Sequence, residues 1–176
     1  MENLLLLILQ SVVAPMSSVI AADQEEITQH IINKDDADEV LWLARILYSE
    51  TKDVREMQDI AWVVRNRVET NFRGNSYQKV ATSKSQFSGL NSFDKNYMHN
   101  ISRTYESTGM AWEHALEVAT DVFYAPADER PFSITVRHFY SPISVQAPTW
   151  THTGDPVIER TDAKGNIRFA FYSGVK

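Results

Sequence analysis

The chain contains no cysteine. Disulfides and thiolate metal sites are therefore excluded, while the compartment stays open because many exported proteins also lack the residue. Net charge is −6 and no segment gathers lysine and arginine, so the electrostatic footprint of a nucleic-acid binder is missing. The histidines at 30, 99, 114, 138 and 152 show no His-x-x-x-His or comparable ligand spacing, which argues against a metal-dependent amidase or peptidase and predicts no metal and no cofactor. There is no Gly-x-Ser-x-Gly elbow, phosphate loop, internal repeat or low-complexity tract. What is present is a chain of 176 residues, 43% hydrophobic and 11% aromatic, the composition of one globular domain able to bury a core.

One apolar run stands apart from the rest. Leu4–Leu9 is unbroken aliphatic, Ser11–Ala22 is small or apolar, and Asp23-Gln24-Glu25-Glu26 follows. This pattern fits a secretory signal cleaved after Ala21 or Ala22, although the opening Met-Glu-Asn carries no basic residue. The alternatives are an uncleaved anchor of about the minimum spanning length, giving membrane anchoring through residues 4–22, and a buried N-terminal helix. Pro15 and the serines disfavour the helix. Residues 23–36 read as a linker.

The organising stretch is Leu41–Arg67. Asp36-Ala37-Asp38-Glu39 has the form of a capping box, with Glu39 reaching back, and predicts a helix over 37–50. After a break at Thr51–Asp53, Met57, Ile60, Ala61, Val64 and Val68 recur at helical spacing and predict a second helix over 54–69. A short helix is expected at Tyr77–Thr82, then a loop through Gln86-Phe87-Ser88. Residues 91–106 read as irregular. A further helix over Thr108–Tyr124 ends before Pro126. Trp42, Trp62 and Trp112 fall on helices and are expected in the core. The last fifty residues change character: Ser133–Tyr140 is β-branched and aromatic, and Val157–Thr161 and Ile167–Tyr172 flank a turn at Asp162–Asn166. The expected class is α+β, a mainly helical body with a small C-terminal antiparallel β-hairpin or sheet.

Glu50 ends an apolar run of Leu41, Leu43, Ala44, Ile46, Leu47 and Tyr48. A carboxyl placed where core gives way to cleft is desolvated and holds its proton near neutral pH, as a general acid for a glycosidic bond requires. The plainer alternative is a solvent-facing carboxylate at a helix end.

Four blocks in order carry a resemblance: Tyr48-Ser49-Glu50, then Ala61-Trp62-Val63-Val64-Arg65-Asn66-Arg67-Val68, then Gln86-Phe87-Ser88, then His138-Phe139-Tyr140-Ser141-Pro142. Together with Trp150 and the closing aromatic strand they resemble the SleB-type cell-wall hydrolases, the spore-cortex-lytic family with relatives in phages. The likeness runs from about Leu41 to Tyr172. It implies a lysozyme-like fold, residues 37–176 as a catalytic domain, and cleavage of peptidoglycan between N-acetylmuramic acid and N-acetylglucosamine, with Glu50 as the catalytic acid. It also implies an exported protein of the periplasm or extracellular cell wall, or one associated with a phage virion. The expected partner is a peptidoglycan glycan strand, not nucleic acid, and the expected state is a monomer. The chain departs from the family in having Ser49 where glycine is usual, a shortened segment at Thr51–Val54 without the second glutamate, and Ile167 after Gly165-Asn166 where the family often has histidine.

A hydrolase with two carboxylates needs the second about 5–9 Å away, and no second acid stands out; Asp53 is not assigned that role. One acid suffices for a lytic transglycosylase, which is therefore preferred. A catalytically inactive glycan-binding or virion-structural protein of the same fold is the competing reading. Tyr48, Gln86, Phe87, Ser88, Tyr140 and Trp150 are the expected substrate contacts; the alternative for Gln86-Phe87-Ser88 is an ordinary turn with Phe87 as an anchoring side chain, and for Trp150 a core cap. Asn66 and His138 are expected behind the site, Asn66 bonding backbone and His138 as a satisfied structural residue. A protein of negative net charge gains no long-range attraction to an anionic wall, so affinity is expected to come from the cleft itself.

Overall fold

A computed structural model describes residues 34–175. The expectations for residues 1–22 and for most of the 23–36 linker lie outside them. The chain groups into residues 1–37 and 38–176; apart from the first residues of the first helix, the second unit contains everything that follows. Among the described residues no helix is long and apolar enough to cross a membrane.

The fold is α+β. Helix α1 covers Lys34–Glu50, α2 Val54–Glu69, α3 Tyr77–Thr82, α4 Tyr97–Ile101 and α5 Met110–Tyr124; strands β1 (Val136–Tyr140), β2 (Ile158–Thr161) and β3 (Ile167–Ser173) complete it. Short 3-10 turns occupy Ser88–Leu90, Ala127–Glu129 and Thr149–Thr153. Helix α1 begins at Lys34, three residues before the expected start. The expected capping box is not formed, because Glu39 Oε2 instead accepts from the Tyr77 amide, so its carboxylate serves the first turn of α3. Ser76 caps the same helix through the Lys79 amide. The region expected to be irregular contains α4.

The core lies where α1, α2 and α5 meet the sheet. Leu43, Ile46 and Leu47 of α1, Met57, Ile60, Val63 and Val64 of α2, and Trp112, Ala115 and Val118 of α5 are buried together with Phe169 and Phe171 of β3. Each large side chain so buried stabilises the fold by about 1.5–3 kcal/mol. Trp62 and Trp112 are in this core as expected, and Trp42 packs against it half-buried.

The sheet runs β1-β3-β2, both pairs antiparallel, so the last strand in sequence is the middle one. A register shift between Val136 and His138 locally re-aims β1. Val136 and Phe139 then meet the main core, while His138 and Tyr140 face the other side with Trp150 and Tyr172.

The candidate active site at the end of the first helix

Asp53, on the turn leaving α1, caps α2: its Oδ1 accepts from the Arg55 and Glu56 amides at 2.9 and 3.2 Å. Such a cap contributes about 1 kcal/mol. This fixes the short link between the helices and leaves Glu50 as the last residue of α1. Glu50 is half-buried and lines two cavities, one of about 680 Å³ and one of about 750 Å³, which share only it and Ser49. The carboxyl therefore stands at a junction, with room for a polymer to either side.

Burial pushes the Glu50 carboxyl up to about 7, and the Arg67 guanidinium partly opposes the rise. Desolvation wins here because the buried cation acts through space and no hydrogen bond stabilises the charged form. At neutral pH the group is close to half protonated, the condition for giving up a proton and then taking one back.

Every other acid lining these cavities is engaged. Glu56, in the 750 Å³ cavity, accepts from Arg168 Nε and Nη2 at 2.6 and 3.2 Å and from Thr51 Oγ1. Asp53 caps its helix. Asp162 accepts from the Lys164 and Asn166 amides and from Asn166 Nδ2, closing the hairpin turn. Among the described residues the 680 Å³ cavity contains no acid but Glu50. Sequence reasoning left the second carboxylate unassigned; Glu56 does reach a shared cavity, but as half of a buried pair with Arg168.

The Asn66-Arg67 block ties α2 to the rest of the site. Asn66, fully buried, donates through Nδ2 to the Ser133 and Val136 carbonyls at 3.2 and 2.8 Å, the backbone role expected of it. Arg67 donates through Nε to the Arg137 carbonyl at 2.7 Å and through Nη1 to Gln86 Oε1 at 3.3 Å. Burial pushes Arg67 down to about 10, reinforced by Arg73 and Arg137 and opposed by Glu50, so it remains a cation at neutral pH.

The expected substrate contacts divide. Gln86, Phe87, Ser88, Tyr140 and Trp150 line the 680 Å³ groove together with Glu50. Trp150 is half-buried, with its ring against His138, Tyr140 and Tyr172. Phe87 is a correction in role: it lines the groove, but at 3% exposure, packed between Phe139 and the Arg67 guanidinium, its ring serves as the anchoring side chain of the alternative reading. Tyr48 is a second correction. It lines neither cavity; its hydroxyl accepts from Arg103 Nη2 at 3.0 Å and lies 3.2 Å from His99 Nε2, and its ring meets Trp112 edge-on. Two residues before Glu50 on the same helix, it is turned by about 200° to the opposite side and into this cluster. His138 is a third: it lines the groove, and its buried Nδ1 has no partner, so it is not a satisfied structural histidine.

Arg67, which the Asn66-Arg67 block left between a structural place and one near the site, lines the groove. Arg73 lines it too and was missed by sequence reasoning, because in the loop after α2 it carries no signal in spacing. Among the described residues no cluster of His, Cys, Asp or Glu could hold a metal ion. No family model, curated protein or solved structure matches the chain.

Proposed function

We propose that this chain is a peptidoglycan-cleaving enzyme of lysozyme-like fold, related to the SleB-type cell-wall hydrolases and exported to the wall it acts on. The observation that carries the reading is the position of Glu50: a proton-holding carboxyl at the junction of two cavities, among acids that are otherwise all engaged. A glycan strand lies along both cavities with the bond between N-acetylmuramic acid and N-acetylglucosamine over Glu50. Tyr140 and Trp150 supply aromatic surface on one side, and the amide and hydroxyl of Gln86 and Ser88 meet the acetamido groups.

Glu50 gives its proton to the glycosidic oxygen as the bond from the muramyl C1 breaks and oxocarbenium character develops there. The resulting carboxylate takes the proton of the same sugar's 6-hydroxyl as O6 bonds to C1. The products are a strand with a free 4-hydroxyl and a 1,6-anhydromuramyl end, and Glu50 is protonated again. Hydrolysis would need a carboxylate to activate water, and Glu56, Asp53 and Asp162 are held by other partners, so transglycosylation is preferred.

Mass spectrometry of peptidoglycan digested with the chain tests this. Anhydromuramyl ends are expected, and Glu50→Gln, nearly isosteric but without the transferable proton, abolishes them while strand binding persists. Reducing ends would convert the reading to a muramidase. Binding with no new sugar ends from the parent protein would instead identify an inactive glycan-binding or virion-structural protein.

A further inference from the structure

The 680 Å³ groove is net cationic in a chain whose net charge is −6. Arg67 and Arg73 line it, and among the described residues Glu50 is its only acid. Arg137 stands behind them: its carbonyl holds Arg67 at 2.7 Å, and its guanidinium lies 4.5 Å from the centre of the Phe72 ring, on which Arg73 also rests at 5.3 Å. The edge of that ring meets His138. Among the described residues none of the three arginines pairs with a carboxylate; the ion pairs there involve Arg55, Arg65, Arg130, Arg160 and Arg168.

Like charges gathered in a half-enclosed site repel one another and keep their desolvation cost uncompensated. Two buried polar atoms in the cluster, Arg137 Nε and His138 Nδ1, lack any hydrogen-bond partner, and His138 is 7% exposed. Buried polar groups are nearly always bonded, so such orphans mark a place completed by something else. Burial, together with Arg67, Arg73 and Arg137, pushes the imidazole down to about 4, so at neutral pH histidine adds no charge of its own and can present an N–H.

We propose that Arg67 and Arg73, backed by Arg137 and His138, form an anion site in the Glu50 groove that takes a carboxylate of the muramyl side arm. The proposal rests on the glycan-cleaving reading and specifies its substrate as an acidic strand. The lactyl group of muramic acid is an ether on the same ring whose C1 is cleaved, so its carboxylate, or that of the first peptide residues attached to it, falls within one sugar's width of Glu50. A planar guanidinium binds a carboxylate by paired charge-assisted hydrogen bonds. The attraction is local to the groove, opposite in sign to the protein as a whole.

Titration of the full chain with N-acetylmuramic acid and with its methyl ester, followed by NMR, tests the site without requiring turnover. The acid is expected to bind about tenfold more tightly than the ester, and Arg73→Gln, at an exposed position, is expected to remove most of that difference. N-Acetylmuramoyl-L-alanine moves the carboxylate outward by one residue: tighter binding than the free acid assigns the site to the peptide stem, weaker binding to the lactyl group. No preference for the acid over the ester overturns the proposal. A chain that prefers the acid but releases no sugar ends from peptidoglycan keeps the anion site and loses the enzymatic reading; one that cleaves without the preference does the reverse.

Discussion

A Cβ placed on Gly89 would stand 3.0 Å from the Cβ of Ser49 and 2.9 Å from Asn100 Nδ2. The loop after Phe87 thus lies directly on the residue before Glu50, and Asn100 holds it there by donating to the Gly89 carbonyl at 2.8 Å. Ser49 fits because glycine faces it. Gly89→Ala is expected to cost about 1–3 kcal/mol by overpacking and to lower activity by displacing the end of α1. Denaturant unfolding and peptidoglycan cleavage measure the two effects. Adding Ser49→Gly is expected to recover part of both.

The alkaline limb of the activity profile is expected near pH 7, where Glu50 loses its proton. Arg67 opposes the rise in that value, so Arg67→Gln is expected to move the limb upward. A kcat/KM profile over pH 5–9 gives both positions, and a limb that does not move would separate Arg67 electrically from the acid.

Stability depends on the same group in a calculable direction. Folding raises Glu50 from 4.5 to about 7, so the folded state binds more protons in that window and stability falls as pH rises through it. Folding lowers His138 from 6.5 to about 4, chiefly by burial, so its contribution is full above 6.5 and is lost as pH falls toward 4. Between pH 4.5 and 6.5 the two slopes oppose each other. Glu50→Gln is expected to stabilise the protein by about 1–3 kcal/mol at pH 8 and to uncover the loss on acidification due to His138. Urea unfolding at a series of pH values checks both.

Phe87→Ala and Trp150→Ala are expected to differ in kind. The first empties a core position and costs about 3–5 kcal/mol of stability. The second removes a half-buried ring from the groove wall, so weaker strand binding by the Glu50→Gln protein is its main effect. Thermal unfolding and a peptidoglycan pull-down, run on both, distinguish anchor from platform.

The helices were legible because their signals are local. Met57, Ile60, Ala61 and Val64 share one buried face of α2, and α2 and α3 have the expected limits. Glu50 was legible for the same reason, as a carboxyl ending an apolar run. Capping by Glu39 was not, because the amide it serves is 38 positions away in sequence. Tyr48 and Phe87 were misassigned since a motif gives adjacency along the chain but not which way a ring turns. The arginine cluster was invisible for a related reason: Arg67, Arg73 and Arg137 come from a helix, a loop and a strand, and only the tertiary fold brings their charges together. The second acid of the shared cavity was equally hidden, because Glu56 is defined by Arg168, 112 positions later.

The order β1-β3-β2 has a consequence for synthesis. While a ribosome is still making residues 167–173, β1 has no neighbour to hydrogen-bond, and Phe139 lacks Phe169 and Phe171 to pack against. The groove wall bearing His138 and Tyr140 is then incomplete, and it closes only when β3 arrives to pair with β1.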